Sequence, residues 1–290
     1  MLPFIDVVRS LNPLAHWSLG EPVGATVISD LSGNGFGASI SGTVTFGQTG
    51  ISGHTATRFT SSGYGFVGHQ NALQLNGAHT IIGLCKPLTF PAGSYPGGLK
   101  KGDATTQHGY LIFLDPGGNA YLKRNNVSCP LYGACSLNAF SLLGFSYTGS
   151  AVLSYKNGAI GTTTSVTFPS NTNTSSQLWL GRADFAGDQV WSDIAIFNRA
   201  LSAAEHRYIA AAAGLAMLPS LSGTVIVSGN GGADQVVIRD WSTRKLVATA
   251  TPDPTTGAWS AQVPEGDYDI SYFAPGCQPI CHGPYTAAPT

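Results

Sequence analysis

An all-β protein, built as a sandwich or a barrel, is the fold this chain predicts, and three observations carry that reading. Its 290 residues include 37 glycines and only 10% charged side chains, against averages of about 7% glycine and about 25% charged, so the chain is full of turns. Short runs of Val, Ile, Thr, Phe and Tyr recur between clusters of Gly, Asn, Ser and Pro, the pattern of strands joined by tight loops rather than of α/β alternation. Asn157-Gly158 stands between alternating apolar runs, the strongest short-range hairpin signal, because both turn residues must accept positive φ.

Residues 1–13 read as a leader, Ala15–Leu19 as the first strand and Asp30–Gly35 as a tight polar turn. Ala56–Phe59, Tyr64–Val67 and His79–Cys85 carry period-two or short buried apolar patterns. Phe90–His108, with Pro91, Pro96 and the adjacent Lys100-Lys101, predicts a long exposed loop. Tyr110–Leu114 and Ala120–Lys123 flank the turn composition of Asp115–Asn119, and Ala151–Tyr155 and the run from Ala159 flank Asn157-Gly158. Leu178–Gly181 is a further strand. In Val190–Phe197, Ile194 and Ile196 share one face and Asp193, Ala195 and Phe197 the other, which suits an inner strand whose outer face is also partly covered. Asn198–Leu201 then leaves the sheet. Ser202 followed three residues later by Glu205 is a capping box. A helix is therefore predicted over the Ala-rich residues 203–213, with Gly214 past its end, and it is expected to be the only one.

The texture changes at Leu218, where Pro219-Ser220 marks a linker. The predicted division is a leader over 1–13, one domain over 14–218 and a second over 219–290. In the second, Gly223–Val227, Gln235–Arg239, Lys245–Thr251, Trp259–Val263 and Tyr268–Phe273 recur between turn clusters at intervals of roughly ten residues, the signature of a small β-sandwich. Residues 275–290 are expected to be irregular and held back by cysteines.

A net charge of −1 with scattered Lys and Arg supplies no stripe to neutralise a row of phosphates, so no nucleic-acid partner is expected. No apolar stretch reaches the roughly 18 residues of a membrane helix, so no membrane insertion is expected, and the N-terminus lacks the order of a signal peptide. Of five cysteines, Cys129 with Cys135 and Cys277 with Cys281 could each close a small loop, leaving Cys85 in a buried strand. Cys277, Cys281 and His282 alternatively offer three ligands to zinc, without a fourth at a recognisable spacing.

His16-Trp17-Ser18-Leu19, Asp30-Leu31-Ser32-Gly33-Asn34-Gly35, Ala56-Thr57-Arg58-Phe59, Tyr155-Lys156-Asn157-Gly158, Leu178-Trp179-Leu180-Gly181 and Asn198-Arg199-Ala200-Leu201-Ser202-Ala203-Ala204-Glu205 occur in one order. In that order they resemble the laminin-G-like, concanavalin A-like jelly-roll domains, over residues 14–214. One departure is Leu84, where the family usually places a Trp. Ser222–Val225, Leu246–Thr249, Thr256–Trp259 and Val263–Tyr268 resemble the carboxypeptidase regulatory-like, transthyretin-like β-sandwich. The pairing resembles accessory virion proteins of tailed bacteriophages. It implies a non-enzymatic structural or adhesion protein of the tail, fibre or capsid surface, present in several copies among other virion proteins and presenting a lectin-like domain to host-surface glycans. A secreted bacterial carbohydrate-binding adhesin or accessory module is the alternative.

A glycoside hydrolase on this fold needs two carboxyl groups flanking the scissile bond. The three glutamates, Glu21, Glu205 and Glu265, sit beside a proline, in a helix cap and in a turn, which leaves only the aspartate pairs Asp184 with Asp188 and Asp267 with Asp269. Neither a Gly-x-Ser-x-Gly elbow nor metal-ligand spacing among the seven histidines is present. The resemblance does imply a possible calcium at the sandwich rim, for which Asp184 and Asp188 are the candidate ligands and Asp30 and Asn34 the next, although aspartates in Gly-rich turns most often bond their own backbone. For glycan binding the candidate side chains are Tyr95, Tyr110, Tyr121 and Tyr132, some of which must belong to the core.

Overall fold

The computed structural model describes all residues except 1–2, 61, 91, 94, 104–107, 125, 132, 171–174, 183–186, 219, 228–230, 275–279 and 288–290. The chain divides into two compact units, residues 3–215 and 216–290. Both are built almost entirely of antiparallel strands.

In the first unit the elements follow as α1 (Phe4–Ser10), β1 (Ala15–Trp17), β2 (Val27–Ile28), β3 (Ala38–Ser41), β4 (Val44–Thr49), β5 (Thr55–Phe59), β6 (Tyr64–Val67), β7 (His79–Pro87) and β8 (Gly97–Asp103). They continue as β9 (His108–Leu114), β10 (Ala120–Arg124), β11 (Val127–Pro130), β12 (Ser141–Tyr147), β13 (Ala151–Lys156), β14 (Ala159–Ser165), β15 (Leu178–Leu180), β16 (Gln189–Phe197) and α2 (Ala203–Ala212). One sheet runs β14-β13-β12-β7-β16-β5-β4, with β1 added on β16, and the other runs β11-β10-β9-β8-β15-β6-β3-β2. Leu99, Ile112, Leu122, Leu178 and Leu180 of the second sheet share one core with Ile81, Leu143, Phe145, Trp191, Ile194 and Ile196 of the first, which makes the unit a sandwich.

The first sheet is covered on both faces at its centre, and β7, β12 and β16 are accordingly buried along almost their whole length. On β16 the faces divide as the alternation predicts, with Ile194 and Ile196 in the core and Ala195 and Phe197 buried outside it. Helix α2 starts on the predicted capping box, with Ser202 Oγ accepting from the Glu205 amide and Glu205 returning to the Ser202 amide. It also packs on α1, a helix that the leader reading did not foresee. Phe4, Val7 and Val8 are its buried side chains. A seven-residue helix with no side-chain cap owes its existence to this docked apolar stripe and not to propensity.

The predicted loop over Phe90–His108 is corrected by β8, a central strand of the second sheet between β9 and β15. Lys100 and Lys101, the residues that argued for exposure, are only 5% and 1% exposed. Lys101 turns toward the interior, where Nζ donates to the Ser176 carbonyl at 2.7 Å and lies 3.3 Å from His69 Nδ1; burial lowers its pKa to about 8.

The second unit comprises β17 (Ser220–Thr224), β18 (Ile226–Val227), β19 (Gly231–Gly232), β20 (Gln235–Asp240), β21 (Leu246–Ala250), β22 (Ala258–Gln262), β23 (Gly266–Phe273) and β24 (Ile280–Ala287). A four-stranded sheet, β21-β20-β23-β24, accompanies the two-stranded pairs β17-β22 and β18-β19. Val236, Ile238, Trp259, Val263, Tyr268 and Ile270 form its core, and the Tyr268 hydroxyl ties the preceding turn by donating to the Pro264 carbonyl at 2.7 Å. The tail expected to be irregular instead contributes β24, paired along β23. Cys85, Cys129 and Cys135 are buried free thiols and Cys281 an exposed one, so Cys129 and Cys135 close no loop; Cys277 lies outside the described residues.

Candidate functional site

The second sheet of the first unit has one face in the core and the other turned outward. Strand alternation places Leu99, Ile112, Leu122, Leu178 and Leu180 inward, which sends the residues between them to the opposite face. The register aligns Ser39, Phe66, Trp179, Lys100, Leu111, Lys123 and Ser128 directly across seven neighbouring strands of that outer face. Phe113, Tyr121 and Pro130 form a second row two residues along.

Aromatic rings cluster on this face in two groups. Tyr64 lies 5.6 Å from Trp179 and 6.3 Å from Phe66 between ring centroids, and all three are half-buried. Phe113 stacks on Tyr121 at 5.2 Å with an interplanar angle of 15° and receives Tyr95 edge-on at 5.8 Å. Tyr95 is 37% exposed. The Tyr121 hydroxyl donates to Asp115 Oδ2 at 3.2 Å, and the Asp115 carboxylate also takes the amides of Gly117 and Asn119. Cations border the first group: Arg182 Cζ lies 4.5 Å from the Tyr64 ring centre and 4.8 Å from that of Trp179, and Lys100 Nζ lies 5.1 Å from the indole.

Of the tyrosines singled out from sequence, Tyr95 and Tyr121 reach this face. Tyr110 belongs to the core, with its hydroxyl donating to the Leu73 carbonyl at 2.8 Å and burial raising its pKa; Tyr132 lies outside the described residues. Tyr64, Phe66, Phe113, Trp179 and Arg182 were missed. The available signal was an aromatic residue at the outward position between two inward ones, as in Leu178-Trp179-Leu180 and Ile112-Phe113-Leu114.

The calcium expectation meets a different use of Asp188. Its Oδ1 and Oδ2 accept Arg58 Nε and Nη2 at 2.7 and 2.5 Å, and its backbone carbonyl accepts the amides of Leu88 and Thr89. Asp184 lies outside the described residues. Asp30 serves its own turn: against the desolvation of the carboxylate, hydrogen bonds from the His16, Phe36 and Ser32 amides and the Ser32 hydroxyl hold its pKa low. Asn34 donates to the Leu14 carbonyl. Among the described residues no group of three or more His, Cys, Asp or Glu side chains is placed to hold a metal ion.

Two of the buried histidines among the described residues pair with side chains of the first sheet. His16 Nε2 lies 2.9 Å from Asp193 Oδ1, both almost wholly enclosed, and burial raises Asp193 to about 6. His206 Nε2 lies 2.8 Å from Ser146 Oγ under helix α2. Neither serine nor carboxylate reaches solvent there, so both pairs tie elements together. Of the aspartates weighed for hydrolysis, Asp269 pairs with Arg244 and Asp267 accepts from Thr286, while Glu205 is held by Arg199 and its own cap.

No protein-family model matches this sequence, nor does any curated protein sequence. The solved structures similar to it include several all-β sandwich domains. Domain 4 of AbnA, an extracellular GH43 arabinanase of Geobacillus stearothermophilus solved with arabinotriose, matches 69% of this chain and 98% of its own, at 18% identity and a TM-score of 0.53. The binding domain of Paraclostridial Mosquitocidal Protein 1 matches over 91% of this chain and 76% of its own, at 12% identity and a TM-score of 0.56. Trypanosoma rangeli sialidase, solved with sialic acid, matches 69% of this chain but 33% of its own, at 12% identity and a TM-score of 0.53. At these identities the likeness is one of fold.

Proposed function

We propose that this protein is a non-catalytic, lectin-like binding module whose first unit presents the outer face of its second sheet to a glycan. The observation that carries the reading is the cluster of Tyr64, Phe66 and Trp179 at outward positions of paired strands, where an ordinary solvated sheet face carries polar residues. Flat rings with apolar faces and polar edges suit the C–H face of a sugar ring. The similar folds support a binding role, since they include a domain solved with arabinotriose and the binding domain of a mosquitocidal protein. The engagement of Asp188, Asp269 and Glu205 by arginines supports the absence of hydrolysis.

The sandwich pairing further supports placing the protein on a tailed-phage particle, in the tail, a fibre or the capsid surface, where the module contacts the host. Its rival is a secreted bacterial accessory module, favoured by the near-complete match to one domain of an extracellular arabinanase. The decisive measurement is binding of the full chain to an immobilised glycan panel. Trp179→Ala is expected to lower affinity at least tenfold with an unchanged melting transition, and a chain that binds no sugar on a broad panel refutes the lectin reading. Co-sedimentation with particles in several copies separates the virion from the secreted alternative.

A further inference from the structure

We infer that the sugar taken by this face is carboxylated, with Arg182 reading the carboxylate; the inference rests on the glycan-binding reading above. Arg182 is delivered by a turn with one admissible residue. Gly181 has φ 75°, a Cβ there would meet the Phe59 ring at 2.1 Å, and its amide donates to the Gly98 carbonyl at 2.8 Å. The chain leaving β15 is thus turned so that the next side chain lies against Tyr64 and Trp179 instead of extending into solvent.

Among the described residues, none takes up the donors of Arg182. Arg58, Arg199 and Arg244 each spend their guanidinium on a carboxylate, of Asp188, Glu205 and Asp269 respectively. Arg182 is held instead by two ring faces, and no described carboxylate forms an ion pair with it. Cation–π contact engages the flat face of a guanidinium and none of its five in-plane N–H donors. Lys100, over the same indole, adds a second positive charge. The described acidic side chain of this face, Asp115, is taken up by Gly117, Asn119 and Tyr121. A sugar stacked on the aromatic cluster with a carboxylate at its rim would therefore meet a preorganised fork, and charge-assisted bidentate bonds are the strong ones. A neutral sugar gains only the stacking.

The test compares neutral oligosaccharides with counterparts ending in glucuronic or sialic acid, using the full chain and Arg182→Gln, Arg182→Lys and Trp179→Ala. The carboxylated members are expected to bind at least tenfold more tightly. Arg182→Gln should abolish that preference at an unchanged melting temperature, and Arg182→Lys, which keeps the charge but loses the fork, should lose most of it. Free glucuronate should compete where acetate at equal ionic strength does not. Equal affinity for both classes, or a preference that survives Arg182→Gln, overturns the inference and leaves the lectin reading standing. A preference for sulfated over carboxylated sugars, or competition by acetate alone, overturns it as well. Absence of binding to any sugar removes both.

Discussion

At the scale of single residues, the sandwich is organised by glycines that leave room for rings. The Trp191 indole lies where a Cβ on Gly83 would come within 2.5 Å of Cζ3 and a Cβ on Gly98 within 2.2 Å of Cη2. One indole thus bridges β7 in the first sheet and β8 in the second. Interiors are packed too closely to absorb an added methyl without displacing its neighbours. Gly98→Ala is expected to destabilise the first unit by about 1–3 kcal/mol, the usual range for overpacking. Gly68→Ala, at a position with nothing within 4 Å of the added Cβ, should change stability by less than about 0.5 kcal/mol. Urea denaturation followed by tryptophan fluorescence checks both, and equal midpoints for the two variants would contradict the packing argument. None of this could be read from the sequence, where Gly97-Gly98 is indistinguishable from any loop glycine pair; the ring that requires it arrives from the far end of the chain.

Among elements, helix α2 shows where local chemistry ends and tertiary packing begins. Its cap is local and was legible from Ser202 and Glu205 alone. The docking is not: His206 stacks on Tyr155 at 3.8 Å and 14°, meets Ser146, and sits where a side chain on Gly144 would be. Burial lowers the imidazole to about 3, only partly offset by Glu205, and burial likewise lowers His79 to about 4. Because these rings are neutral when folded and titrate near 6.5 when unfolded, the stability they contribute is complete above about pH 6.5 and is lost as pH falls toward 3 or 4. Asp193, raised to about 6, acts with the opposite sign, so the informative quantity is a difference between variants. His206→Gln is expected to flatten the pH dependence between 4 and 6 by up to about 1.4 kcal/mol per pH unit. Urea midpoints at pH 7, 5.5 and 4.5 measure it, and a slope equal to that of the natural chain would show that His206 is not a buried neutral ring. The same division explains the rest of the reading. The Asn157-Gly158 hairpin, with φ of 50° and 80°, and the faces of β16 follow from short-range patterns. Strand β8 was mistaken for a loop because Lys100 and Lys101 are compensated by Ser176, His69 and Trp179, none of them near in sequence. The aromatic face was missed because the strand order β8-β15-β6, which gathers its rings, joins distant segments.

For the whole molecule, the two units each possess a core of their own. That of residues 3–215 joins two eight-stranded sheets, and that of residues 216–290 is a smaller cluster around Trp259 and Tyr268. A unit of the first size buries enough apolar surface to fold alone, whereas one of about 75 residues is nearer the margin at which small domains become unstable. Every residue assigned to the aromatic face and to Arg182 lies in the first unit. A fragment ending at Leu215 is therefore expected to keep a cooperative thermal transition and to bind the glycans preferred by the full chain within about threefold of its affinity. The fragment also removes any gain in avidity contributed by assembly through residues 216–290, so single-site affinity is the quantity to compare. Calorimetry and glycan binding on the same preparation distinguish the outcomes. A fragment that folds but does not bind would move the ligand site out of the first unit, and one that fails to fold would mean that the first unit depends on residues beyond its own core.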